Sequence, residues 1–343
     1  KSPGPVQFLK DVANLGGGGF YSADTAGDLQ EVFKVILSDV RSAPSSFAAP
    51  ALAIDAFNKL TSRSDVYYGM FTPELTQRWN GNVKKYELCL EDSCGKLGDV
   101  LDINNVSVVD DSDPDRPVFK TDSKSHWSAA ADGQAVTRGG AGAMVADFKD
   151  VVLLTDKKDA TSSFDSVRGK VLSTETGLNI TAANWKDDAN KTIREAICKS
   201  PSTDTATADG KECEKRMLWM LGKKHVTDAE NDPGSPHINR WSVGDVLHSS
   251  PVVITYGGNG TTFVDRVVYG TNAGYLHMVN GTNGKEEWRY MPSDFWPAQR
   301  QLFDNRQDKH MYGMDSTPTV WMCDGGDGII SPNRNLTAGD GAC

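Results

Sequence analysis

The sequence predicts a mainly β protein with an α/β remnant at its N-terminal end and the start of a β-propeller at its C-terminal end. Three observations predict it. Apolar residues recur at helical steps of three and four before residue 42, but beyond it the period falls toward two. Residues 251–290 read as four short strands separated by Asn/Gly turns. The 343-residue length is too great for one small module. Three segments follow: 1–42, the tail of an α/β domain; 43–236, a β-rich region with stapled loops; and 237–343, the first propeller blades.

Val6 to Leu15 reads as a helix with Phe8, Leu9 and Val12 apolar, stopped by Gly16–Gly19. Phe20-Tyr21-Ser22 reads as a short strand. Leu29, Val32, Phe33, Ile36, Leu37 and Val40 then return at helical spacing, and Thr25 with Asp28 three residues on forms a capping box. Helix, strand and helix cannot bury their faces alone, so the body of that domain is expected outside this segment. The chain therefore reads as an internal piece of a longer polypeptide. Lys1-Ser2-Pro3-Gly4-Pro5 agrees, since no apolar stretch follows it as a signal peptide requires.

A linker is expected at 42–46. Leu52, Ile54 and Ala56 alternate; Val66–Phe71 is rich in β-formers; Tyr86, Leu88 and Leu90 alternate again. Val106, Val108 and Val109 precede an acidic stretch, and Val151–Leu154 reads as a short buried strand. Two short helices are expected around Ile193, Ile197 and Met217–Leu221. Strands are expected at 251–256, 266–269, 275–279 and 285–290, which make one blade. A second blade is expected to begin at Asp315–Trp321.

The net charge of −10 argues against a non-specific nucleic-acid binder, whose Lys and Arg must neutralise phosphates, and leaves room for divalent cations. No apolar run approaches the ~20 residues that cross a bilayer as a helix. The six cysteines contain no C-x-x-C and fall into three local couples. Loop-closure entropy favours near neighbours, which predicts Cys89–Cys94, Cys198–Cys213 and Cys323–Cys343. Such bridges imply an oxidising compartment.

Several stretches carry a resemblance. Arg266 to Trp288 resembles a blade of the quinoprotein-like propellers. Gly-Asp-Val-Leu-His-Ser-Ser-Pro at 244–251, Tyr-Gly-Thr-Asn-Ala-Gly-Tyr-Leu-His at 269–277 and Tyr-Gly-Met-Asp-Ser-Thr-Pro-Thr-Val at 312–320 together resemble the PilC/PilY family of type IV pilus tip adhesins. Ser46–Pro50, Phe57-Asn58, Val66–Tyr68 and Trp79–Tyr86 resemble that family's region before the propeller. Residues 16–40 resemble the end of the von Willebrand A-like domain of some members. The resemblance implies a non-enzymatic protein exported through the periplasm to the bacterial surface. At the pilus tip it would contact minor pilins, support assembly and retraction, and bind host or abiotic surfaces.

The resemblance also implies calcium loops of the Asp-x-[Asp/Asn]-x-[Asp/Asn]-Gly type. The nearest match is Asp324-Gly325-Gly326-Asp327-Gly328, with Asp324 and Asp327 as candidate ligands and Asp340 able to join only by folding back. Its spacing is one residue short, so an acidic turn shaped by glycine and a disulfide is the other reading. Asp110, Asp111, Asp113 and Asp115 form an acidic cluster of a kind that can cage calcium, but Pro114 and Pro117 stiffen it and no ligand glycine is present, so it reads as a solvated loop. Asp159-Ala160-Thr161-Ser162-Ser163 mimics the Asp-x-Ser-x-Ser adhesion motif but lies after the A-like tail, and Arg-Gly-Asp is absent. His126, His225, His237, His248, His277 and His310 have no ligand spacing. Trp288, Trp296 and Trp321 read as packing residues rather than a sugar or quinone site. No organic cofactor is expected. The alternatives are a quinoprotein dehydrogenase, which needs a full ring and a carboxylate near the quinone, and a purely structural filament protein.

Overall fold

The computed structural model describes residues 4–15, 20–23, 25, 27–32, 46–47, 51–52, 64–110, 118–145, 150–155, 178–180, 183–224, 238–257 and 264–320. The chain divides into two compact units, Lys1–Pro44 and Ser45–Cys343.

In the first unit, α1 (Pro5–Leu15) starts on a proline, which is preset for the first helical position. Phe8, Leu9 and Val12 on it are about half exposed. The Thr25–Asp28 capping box forms: Thr25 N donates to Asp28 Oδ2 at 2.9 Å and Asp28 N donates to Thr25 Oγ1 at 3.2 Å. Residues 27–32 are helical behind it. Phe20–Ser22, expected as a strand, has no regular structure. A strand needs paired N–H and C=O groups as well as β-forming residues. Gly16–Gly19 lie outside the described residues.

The second unit is built on two open sheets. In the first, β3 (Asp65–Thr72) and β4 (Asn80–Leu88) pair antiparallel over eight residues, from Asp65↔Glu87 to Thr72↔Asn80. The short strands β1 (Ser46–Phe47) and β2 (Ala51–Leu52) pair with β3, and β5 (Val100–Leu101) pairs with β4. A two-residue hairpin, β6 (Val109–Asp110) with β7 (Val118–Phe119), packs alongside. Both faces of the β3–β4 pair are covered. Val66 and Tyr86 pack with Val108, Phe119 and Tyr68 on one side. Tyr67 and Val83 pack toward the second sheet on the other. This is why β3 and β4 lack a wet face, although alternation alone would allow one.

The second sheet has the order β12-β13-β14-β15-β8-β9. Its first four strands are β12 (Val252–Tyr256), β13 (Val264–Gly270), β14 (Leu276–Asn280) and β15 (Glu286–Tyr290), the antiparallel meander that the turns predict. The sheet does not stop there. β8 (Leu153–Thr155) adds parallel to β15, with Arg289 opposite Leu153, and β9 (Leu178–Ile180) adds antiparallel to β8. The sheet thus joins residues on both sides of position 237, and neither large sheet closes on itself among the described residues. The expected second blade has no strand over residues 315–320, although Val320 packs on the face formed by Ile254, Val268 and Met278. Trp321 lies outside the described residues. Local composition favours a strand start there, but a strand needs a partner edge as well as β-formers.

Three of the second unit's described helices pack on one another, and a fourth lies on the first sheet. α2 (Gly140–Ala143) is a single turn against β4; α3 (Lys191–Ile197), α4 (Ala208–Met220) and α5 (Trp296–Asp304) enclose a core of Trp185, Ile193, Met217, Leu221, Tyr275 and Trp296. Thr207 caps α4, its Oγ1 accepting from Gly210 N at 3.1 Å. Arg300 on α5 donates to the carbonyls of Ala196, Ile197 and Cys198, where the last turn of α3 leaves acceptors unpaired. A two-residue ladder, β10 (Lys223–Lys224) with β11 (Ile238–Asn239), follows α4.

Candidate functional site

Cys89 pairs with Cys94 and Cys198 with Cys213. The second bridge joins the end of α3 to α4 inside the helical core and closes the polar loop between them. Cys323, Cys343, Asp324, Asp327 and Asp340 lie outside the described residues, as do Asp111, Asp113, Asp115, the 159–163 stretch, His225 and His237. Among the described residues no group of three or more His, Cys, Asp or Glu could hold a metal ion. None of their helices is long and apolar enough to cross a membrane.

The stretches singled out in the sequence converge on the turn between β13 and β14. Gly274 supplies its left-handed residue, at φ +86°, which a residue with a Cβ rarely adopts. Asn272 is the hub. Its amide nitrogen Nδ2 donates to Asp245 Oδ2 at 2.5 Å, its backbone N to Asp245 O at 3.0 Å, and its Oδ1 accepts from Gly313 N at 3.0 Å. Met314 N donates to Thr271 O at 3.0 Å. A Cβ at Gly313 would lie 2.7 Å from Gly274 N and 2.8 Å from Asn272 O, so this approach admits only glycine. The start of β4 docks on the other side: Asn80 bridges Gly244, and Gly81 N donates to Val243 O at 3.1 Å.

His310 closes the arrangement. Its ring stacks on Trp79, with centroids 3.8 Å apart, and its Nε2 lies 3.3 Å from Asp245 Oδ2. Burial pushes the Asp245 carboxyl above its usual range, against the pull of Asn272 and His310. At the rim, His248 Nδ1 meets Asp315 Oδ2 at 2.5 Å, and His248 N donates to Asp315 Oδ1 at 3.3 Å. Tyr312 stands beside them, its ring within 14° of parallel to that of His248. The His248 side chain and Tyr312 are both about 60% exposed.

A second charged group lies inside the sheet. Tyr269, His277 and Arg289 form a cross-strand row on one face. His277 Nδ1 lies 2.7 Å from Glu286 Oε1, and Arg289 Nη2 donates to Glu286 Oε2 at 2.6 Å. Burial pushes the Glu286 carboxyl up, but Arg289 and His277 overcome it and hold it at about 2. Burial also lowers the His277 imidazole, against Glu286. A third group anchors the loop over β4. Lys84 Nζ, fully buried, reaches Asp132 Oδ2 at 3.0 Å and donates to Gly133 O at 2.9 Å. Asp132 also accepts from Ser125 and Ser128. Burial pulls the Lys84 ammonium down, and Asp132 opposes it.

Sequence reading left these groups unassembled. In the sequence His277, His310 and His248 stand apart without ligand spacing, and Asn82 and Lys84 figure only within the Trp79–Tyr86 resemblance. The one available signal was polar residues at inward positions of strands, because a buried charge needs a partner. His126 is half-buried, and that burial lowers its imidazole. Trp296 is buried in the helical core, and Trp288 packs beside Met278.

Chemically, the rim can present an oriented imidazole, a phenol ring and a carboxylate to a ligand. Among the described residues no serine or threonine hydroxyl hydrogen-bonds to a histidine ring, the pairing that hydroxyl nucleophiles use. Compared with protein-family models, curated proteins and solved structures, the chain matches none.

Proposed function

We propose that this chain serves in a non-enzymatic adhesin of the PilC/PilY type, at the tip of a type IV pilus, where it supports pilus assembly and retraction and grips a host or abiotic surface. The observation that carries this reading is the convergence just described. The stretches at 79–86, 244–251, 269–277 and 312–320, which carry the resemblance, are hundreds of residues apart at the extremes yet contact one another through Asn80, Asp245, Asn272 and Gly313, with His310 beside them. A motif set that assembles one structural unit is more specific than the same motifs scattered. The antiparallel meander β12–β15 supports its being the first blade of a propeller. The two disulfides fit export to an oxidising compartment.

Gold-labelled antibody raised against residues 45–343 tests the placement on piliated cells of the source bacterium. Label at filament tips, with fewer surface pili and weaker attachment after deletion of the gene, is the expected result. Label confined to the cell body, with piliation unchanged in the deletion strain, overturns it. A dye-reduction assay with added pyrroloquinoline quinone addresses the dehydrogenase reading: turnover would replace the adhesin assignment.

A further inference from the structure

The adhesin reading leaves open what is gripped, and the rim around Tyr312 bears on that. Among the described aromatic side chains of the second unit, those of Phe, Tyr and Trp are buried or half-buried except Tyr312, which is 60% exposed. Its backbone is nevertheless held tightly. Met311 N donates to Gln77 O at 3.1 Å, Gly313 N to Asn272 Oδ1 at 3.0 Å and Met314 N to Thr271 O at 3.0 Å. Beneath it, His310 meets the Tyr312 ring edge-on at 5.1 Å and is itself stacked on Trp79. Beside it, His248 is oriented through Nδ1 by Asp315, which leaves Nε2 as the ring nitrogen open to a ligand. An exposed aromatic face on a pre-ordered backbone loses little entropy on binding.

We propose that Tyr312 and His248 form a carbohydrate-recognition platform. The chemistry selects that class. The ring faces suit the C–H face of a pyranose, while the phenol hydroxyl, the imidazole Nε2 and Asp315 suit its hydroxyl groups. A protein partner held by apolar burial would need about 800 Å² on this side, and among the described residues of the converging stretches Tyr312 is the one large apolar side chain that is exposed. A polyanion is disfavoured by the net charge of −10 and by the carboxylate on His248.

This inference rests on the adhesin reading, and its test is separable from it. The full chain is applied to an array of neutral mono- and oligosaccharides, and the best binder is then titrated calorimetrically against variants whose melting temperatures match the parent. Binding is expected, with Tyr312→Ala weakening it by about tenfold or more, and His248→Ala weakening it as well. Tyr312→Phe should stay within about threefold, since the ring face is kept. No saccharide above background, or a Tyr312→Ala chain that binds as the parent does, overturns the platform. Saccharide binding that survives while the antibody label is absent from pilus tips would overturn the adhesin reading alone.

Discussion

Two histidine–carboxylate pairs lie within a few strands of each other and do opposite work. His277 and Glu286, 2.7 Å apart, are almost wholly buried, with side chains 0% and 2% exposed. His248 and Asp315, 2.5 Å apart, sit at the rim, with side chains 60% and 19% exposed. The inner pair cannot exchange its partners for water. Its carboxylate also carries Arg289, so removing it strands a buried cation. The outer pair can trade every contact for solvent at little cost. The same two functional groups hold the sheet together in one place and present an imidazole in the other, and burial alone decides which.

The largest effect follows from the inner pair. Glu286→Gln should cost about 3–5 kcal/mol in urea unfolding, because Arg289 then stays buried without its anion. The pH dependence has a definite sign. The Glu286 carboxyl is depressed from 4.5 to about 2, so its contribution is complete above pH 4.5 and is lost as pH falls toward 2. Melting temperatures taken across that window should drop in the parent and flatten in the variant. Equal acid profiles would show that the inner pair does not stabilise the sheet.

Next comes the helical core. Replacing Cys198 and Cys213 together by alanine should cost about 3 kcal/mol from the loop entropy the bridge removes. A double variant that unfolds at the parent's urea midpoint would contradict this. Smaller again is Gly313→Ala, whose added methyl meets backbone on both sides and should cost about 1–3 kcal/mol. Amide exchange at Gly313 and Met314 should quicken with it; unchanged exchange would mean that the segment accommodates a side chain. Smallest is His248→Gln, for which unfolding should move by less than about 1 kcal/mol. A larger loss would place the rim pair among the structural ones.

What could be read from the residues was local. The capping box at Thr25 and Asp28, the two described disulfides and the meander at 252–290 are all set by partners close in sequence, the farthest disulfide couple being 15 residues apart. What could not be read depends on distant partners. β8 joins β15 in parallel across more than a hundred residues, and a parallel pairing leaves no turn signal in the sequence. Asn82 and Lys84 sit on a strand whose outer face a loop from 120 to 145 covers, so polarity there did not mean exposure. The candidate site was half legible. Its stretches stood out one by one, but Asp245, Asn272 and His310 become a group only when the turn between β13 and β14 brings them together.

The β3–β4 pair, enclosed on both faces, is shielded from solvent along its length. Solvent cannot reach its central ladder without first displacing either the β6–β7 layer or the larger sheet. The amides of residues 66–71 and 81–86 that point into this ladder are therefore expected to exchange slowly with solvent.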